Sequence, residues 1–369
     1  MKLLIQPGDS ITPLVKAIDG AKKSVEILIF RFDRSEIERA LNNAAGRGVF
    51  VHALIAYTNR GGERNLRRLE TRLLATGVTV ARTSNDLARY HGKLMIIDRR
   101  VLYLLSFNFT YVDIEHSRGF GIVTRNLKFV QEAAKLFEAD TKRQAYTSGL
   151  PSFVVSPVNA RKQLSLFLKG AKKELLIYDP KISDPAMIRI LEERAKAGVN
   201  IKMIGRFTRT SSKLSARKMP RMRLHTRTII RDRHQVFLGS QSLREAELDS
   251  RREVGIIFRD PKVVGRLVKT FESDWAFTEP VDQLSEKGNV LPDTKTAKKV
   301  AKAFAKDLPP MAPALEQMLK KVVGQTRQIE LNAQKIEETV KDAVRGAVKQ
   351  VVQDAVQNAE NHRLIGEPE

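Results

Sequence analysis

The chain carries one pattern twice, and this duplication limits the folds open to it. The segment GAKKSVEIL at 20–28 returns as GAKKELLIY at 170–178, and IERALNNAAGRGVFVHALI at 37–55 returns as IRILEERAKAGVNIKMI at 188–204. Each copy reads as helix, apolar strand, amphipathic helix and second apolar strand, with Gly48 and Gly198 ending the amphipathic helices. Alternation of this kind predicts an α/β sandwich with helices outside a mixed sheet. Further on, LMIIDRRVLYLLSFN and TIIRDRHQVFLGSQS both read as strand, tight turn and strand. An Arg-containing strand follows each, HSRGFGIVT or SRREVGIIF, and a closing helix is expected near 126–140 and 261–277. The seam GLPSFVVSP at 149–157 sets a first repeat at 1–150 and a second at 151–282.

From residue 283 the composition changes. A Pro-broken linker leads into a helical pattern in which Ile329, Ile336, Val340, Ala347, Val351 and Ala355 recur near heptad spacing. That stripe suits either docking on the chain's own core or homo-oligomerisation. Deleting 311–369 is expected to alter oligomeric state more than chemistry. Cysteine is absent, which excludes disulfides and thiolate metal sites. The opening MKLLIQPGDS is too short for a signal-peptide core, and no run has the apolar length of a membrane span. A soluble, cytoplasmic protein is expected.

The net charge of +23 calls for an anionic partner. Residues 283–369 hold 14 Lys and Arg against 12 Asp and Glu, so nearly all of the excess belongs to the duplicated region. Its densest block, GRFTRTSSKLSARKMPRMR at 205–223, contains no acid and runs into a histidine motif.

That motif is RLHTRTIIRD, and its counterpart is RYHGKLMIID. Both fit His-x-(Lys/Arg)-x4-Asp, a pattern that chance places about 0.06 times in a chain of this composition. In a strand, residues two apart share a face, so His91 emerges with Lys93 and His225 with Arg227. A neighbouring cation disfavours imidazolium and keeps the ring in its nucleophilic, neutral form. Lys93 also suits a negatively charged substrate oxygen. Asp98, an odd number of residues on and near a turn, is better placed to steady structure than to join the pair. Folding the repeats about a pseudo-twofold axis brings both His/cation pairs to the seam.

These residues resemble the phospholipase D superfamily, whose signature is His-x-Lys-x4-Asp followed by Gly-Ser-x-Asn. The resemblance covers roughly residues 5–280, with both repeats in family order. His91, Lys93, Asp98, Ser106 and Asn108 match the first signature; His225, Asp232, Gly239 and Ser240 match the second. The phrase GSQSLREAELDSRREVGII is also similar to bacterial phospholipase D-like proteins related to cardiolipin synthases. The resemblance implies two α/β/α sandwich repeats about a pseudo-twofold axis, here with a C-terminal helical tail. It implies a phosphodiesterase working through a phosphohistidine, with His91 as nucleophile and His225 as general acid and base. Lys93 and Arg227, with Ser106, Asn108, Ser240 and Ser242, would hold the phosphoryl oxygens, and Asp98 and Asp232 would complete the catalytic motifs. Glu253 matches an acid that supports the opposite histidine. No metal or other cofactor is implied.

Four positions depart from the family: Arg227 for lysine, Leu105 for glycine, Ser242 for asparagine, and Gly119 where the first repeat's supporting acid is expected. The cardiolipin-synthase-like phrase favours a phospholipid substrate, reached by peripheral contact with an anionic membrane at the inner face. The same charge serves a nuclease gripping a phosphate backbone, or a relative that binds membrane or nucleic acid without catalysis.

Overall fold

The computed structural model describes residues 1–59, 62–208 and 214–281. The tail helix and its role in self-association lie outside the described residues. Met1–Val281 forms one compact unit.

Each repeat builds a mixed sheet of the same design. In the first, the strand order is Lys2–Gln6, Ser117–Thr124, Val101–Leu105, Leu94–Ile97, Ser24–Ile29, Phe50–Ile55 and Thr79–Arg82. The last three run parallel to one another and the remaining pairings are antiparallel. In the second, Phe153–Val155, Val254–Phe258, Gln235–Gly239, Arg227–Arg231, Glu174–Ile182, Asn200–Phe207 and Ala216–Lys218 repeat that order and those directions. The closing helices are Leu127–Lys142 and Pro261–Ala276.

Strand periodicity divides the apolar residues between layers. Along Leu94–Ile97, Leu94 and Ile96 enter a core that spans both repeats, while Met95 and Ile97 enter one confined to the first. Val236 and Leu238 likewise face the common core, and Phe237 faces the second repeat's own. The common core also takes Phe129, Val130, Phe137, Leu267 and Phe271 from the closing helices. The helices expected on the outside of each sheet are therefore of two kinds: the closing helices pack into the shared core, whereas Ser35–Gly46 and Pro185–Lys196 cover a single repeat.

The motif aspartates belong to this framework, as the position of Asp98 near a turn suggests. Asp98 and Arg99 sit at φ 52° and 49°, and Asp232 and Arg233 at 51° and 55°. Two consecutive left-handed residues make the tight turn that suits the twist of a hairpin, and Asp tolerates that conformation better than most residues. Asp98 accepts from the backbone N–H groups of Lys22, Lys23 and Ser24, the Lys23 bond at 2.6 Å. Asp232 accepts in the same way from Lys172, Lys173 and Glu174. Each aspartate thus ties its hairpin to the start of the neighbouring strand, at the far end of the strand from the histidine. Asp98→Asn keeps the turn and removes the charge behind three N–H bonds. We expect it to cost roughly 1.5–3 kcal/mol of stability in denaturant unfolding and to leave the turnover of folded enzyme within a few-fold.

Candidate active site

The repeats exchange short strands, and the exchange sets the histidines. Arg89–Tyr90 pairs in parallel with Arg251–Arg252 of the second repeat, and Arg223–Leu224 pairs with Ser117–Arg118 of the first. The next residue in each case is the motif histidine. His91 N–H donates to the Arg252 carbonyl at 2.7 Å, and His225 N–H donates to the Arg118 carbonyl at 3.1 Å. Each imidazole is thereby carried by its own repeat and held by the other. Both residues are only 6% exposed.

A carboxylate from the opposite repeat faces each ring. His91 Nδ1 lies 3.0 and 2.9 Å from the two oxygens of Glu253. That contact selects the tautomer protonated at Nδ1 and leaves the Nε2 lone pair for chemistry. Glu253 is fully buried. His225 Nδ1 lies 3.4 Å from Asp113 Oδ2, close enough for charge to act although no hydrogen bond is formed. Asp113 is pinned by the Asn108 N–H and the Asn108 side-chain amide, both at 2.7 Å, and by Arg223.

Asp113 is the residue that sequence reasoning missed. The supporting acid was sought at Gly119, where a Cβ would meet Phe107 at 3.0 Å and Phe107 would have to give way to a larger side chain. Asp113 fills the vacancy from the short helix Tyr111–Glu115. One signal was available: Asp113 follows Asn108 at the interval by which Glu247 follows Ser242. Glu247 accepts from the Ser242 N–H at 2.6 Å and from Arg251 at 3.1 Å, and also pairs with Arg244.

The cations make equivalent contacts, although His91 and Lys93 lie in the link between Arg89–Tyr90 and Leu94–Ile97 and His225 just before Arg227–Arg231. Lys93 Nζ donates to the His91 carbonyl at 2.6 Å, and Arg227 Nη1 donates to the His225 carbonyl, also at 2.6 Å. Arg227 Nε donates to the Ser242 hydroxyl at 3.2 Å. The family lysine and its arginine replacement thus make the same backbone contact. Ser106 and Ser240 accept from the Phe120 and Val254 N–H groups at 2.9 and 3.1 Å, which engages these expected substrate ligands in joining strands. Asn108 Oδ1 is buried without a partner and remains able to accept. Leu105 is compensated across the ladder by Gly121, whose missing Cβ leaves room for the leucine side chain.

Burial is the main cause holding both imidazoles well below their ordinary pKa, and Lys93 and Arg227 act on both rings in the same direction. Two cations felt by two imidazoles from different repeats define one electrostatic site. Burial also pushes the Glu253 carboxyl up. For Asp113 burial is opposed by the adjoining imidazole, Arg223 and the Asn108 N–H, which keep its carboxyl below the usual value. Burial pushes the Lys93 ammonium down to about 7, against the pull of Glu253. Below that value Lys93 is charged and able to hold a phosphoryl oxygen; above it the charge is lost. We therefore expect kcat/KM to fall as pH rises through about 7, and Lys93→Arg, whose guanidinium stays charged, to move that limb upward. Superimposable pH profiles for the two proteins would contradict this role of Lys93.

Two buried imidazoles thus each face a carboxylate, and two cations act on both rings. The chain belongs to the phospholipase D-like family: the family described as "Cardiolipin synthase, PLD-like domain" matches residues 14–141 and 164–275. Among curated relatives, a polyphosphate kinase of Pseudomonas syringae pv. tomato is 25% identical over 304 residues, covering 73% of this chain and 41% of the relative. The chain thus spans about two fifths of that protein's length. The mitochondrial cardiolipin hydrolase of Mus musculus is 27% identical over 131 residues, covering 35% of this chain and 57% of that one. The crystal structure of phosphatidylserine synthase from Haemophilus influenzae Rd KW20 shares the fold at a TM-score of 0.58 and 12% identity, over 80% of this chain and 91% of that one. Among the described residues, no helix is long and apolar enough to cross a membrane.

Proposed function

We propose that the chain cleaves or transfers a phospholipid phosphodiester through a phosphohistidine. The observation that carries this reading is the pair of buried, carboxylate-backed imidazoles under the shared influence of Lys93 and Arg227. In the first step His91 Nε2 attacks phosphorus, a P–N bond forms, and the bond to the leaving oxygen breaks. His225 gives that oxygen its proton. In the second step His225 takes a proton from water or an alcohol, whose oxygen displaces His91 and restores the site. Lys93 and Arg227 stabilise the charge that gathers on the phosphoryl oxygens.

The two carboxylates support this division of labour. Asp113 is held ionised, so it favours a proton on His225 once a substrate's negative charge offsets the nearby cations. Burial pushes the Glu253 carboxyl up, so Glu253 stabilises imidazolium less in the resting site. It offsets the positive charge that phosphorylation places on His91. The family description and the 27% identity to a cardiolipin hydrolase support a lipid substrate. The net charge of +23 supports peripheral docking on an anionic membrane, at about 1 kcal/mol per Lys or Arg near the surface.

A second reading, transfer along polyphosphate, is favoured by the longer match to a polyphosphate kinase. The same atoms serve a phosphoanhydride. Purified full chain assayed on phosphatidylglycerol vesicles, on polyphosphate and on plasmid DNA separates the substrates. Lipid turnover is expected. Turnover of polyphosphate or DNA alone would replace the lipid reading, and none at all would make the chain a binding relative.

A further inference from the structure

Beneath each histidine lies a buried ion pair that neither the motif nor the mechanism uses. Arg118 is the residue whose carbonyl receives the His225 N–H; it also receives the Thr226 N–H at 2.9 Å. The Arg118 guanidinium makes two bonds to Asp274 of the second closing helix, at 2.8 and 2.7 Å, and a third to the Gln6 carbonyl at 3.1 Å. Tyr178 donates to the same Asp274 at 2.6 Å. Arg252, whose carbonyl receives the His91 N–H, repeats the arrangement. It donates to Asp140 of the first closing helix at 3.1 Å and to the Ser156 carbonyl at 3.2 Å. Arg252, Asp140 and Asp274 are at most 7% exposed. One sequence offset relates His91 to His225, Arg118 to Arg252 and Asp140 to Asp274.

We propose that Arg118 and Arg252 are positioning residues wired crosswise: Arg252, in the second repeat, sets His91, and Arg118, in the first, sets His225. Each guanidinium fixes its own main chain between a helix carboxylate and a strand-end carbonyl, and that main chain fixes the histidine backbone of the other repeat. On the His91 side the adjoining residue, Glu253, also holds the ring, so Arg252 and Glu253 grip one histidine at its backbone and at Nδ1. A planar guanidinium spans carboxylate and carbonyl together; the point charge of lysine cannot reproduce both. A misplacement of about 1 Å in a reacting group costs on the order of 10²-fold in rate.

The inference rests on the two-step reaction proposed above, and the test uses a substrate that separates the steps. Bis(4-nitrophenyl) phosphate releases nitrophenolate without needing a proton, so phosphorylation of His91 does not depend on His225, whereas attack of water on the P–N bond does. In the full chain, Arg118→Lys is expected to give a burst of about one equivalent of nitrophenolate and then a steady rate lowered on the order of 10²-fold, with phosphoenzyme accumulating. Arg252→Lys is expected to slow phosphorylation itself by a similar factor, with no burst. Tyr178→Phe removes only the phenol from Asp274 and serves if Arg118→Lys does not fold; it should show the same burst with a smaller loss. If both arginine variants slow the same step, or lose rate only in proportion to unfolded protein, the crosswise wiring is wrong. If wild-type enzyme does not turn over the probe, or His91→Asn does so undiminished, the two-step reaction fails and takes this inference with it.

Discussion

His91→Asn abolishes turnover, by roughly 10⁴-fold or more, and leaves no phosphoenzyme, whereas His225→Asn traps the phosphorylated protein when the leaving group is good. The first expectation follows from covalent chemistry: His225 is assigned to proton transfer, so loss of His91 removes the nucleophile, which removes the path and not a fraction of it. The second follows from the division between the rings. A leaving group that departs as a stable anion needs no acid, but water still needs a base. Quench experiments with a labelled diester, read as acid-labile label on protein, decide both. Label on His91→Asn, or label on neither the wild type nor His225→Asn, would overturn the assignment. Asparagine is chosen because it matches the imidazole near its root and keeps a polar group in a buried site. The His91 and His225 backbones retain their bonds to Arg252 and Arg118.

Much of the frame behind these expectations was legible in the sequence, because it depends on local periods. The duplication pointed to two sheets of one design, whereas the contact of Lys93 with the His91 carbonyl is made in the link between two strands. What stayed hidden depends on contacts between the repeats. Asp113 reads locally as an ordinary acid in the first turn of a short helix, since its job is set by Arg223 and His225, which arrive from the other repeat. Arg118 and Arg252 are visible in the sequence only as arginines in the strand regions after each hairpin, and only tertiary structure pairs them with Asp274 and Asp140. The motif aspartates were partly legible. An odd offset and a nearby turn pointed Asp98 toward structure, and the left-handed backbone at Asp98 and Asp232 makes both of them turn residues. Leu105 breaks the family pattern, and Gly121 opposite it leaves room for the larger side chain, an accommodation that no reading of one strand reveals.

Glu253→Gln lowers kcat by roughly 10³–10⁴-fold without lowering stability. A neutral amide cannot offset the charge that develops on His91 when the P–N bond forms. An amide N–H turned toward Nδ1 also favours the tautomer protonated at Nε2, which has no lone pair for phosphorus; loss of an orienting carboxylate in a comparable triad costs about 10⁴-fold. Stability moves the other way. Burial pushes the Glu253 carboxyl up, which means that the ionised form is held at a cost to the fold, and an uncharged side chain of the same shape relieves it. Unfolding midpoints equal to or above wild type, together with the lost rate, are the expected signature of a charge kept for chemistry. Asp113→Asn should lose less in kcat, because His225 Nδ1 stands 3.4 Å away and forms no hydrogen bond to it. It should also lose stability, because Asp113 is held ionised by Arg223 and the Asn108 N–H. The two acids therefore separate in a plot of rate against unfolding midpoint. If Glu253→Gln destabilised the fold and kept its rate, His91 would not depend on that carboxylate.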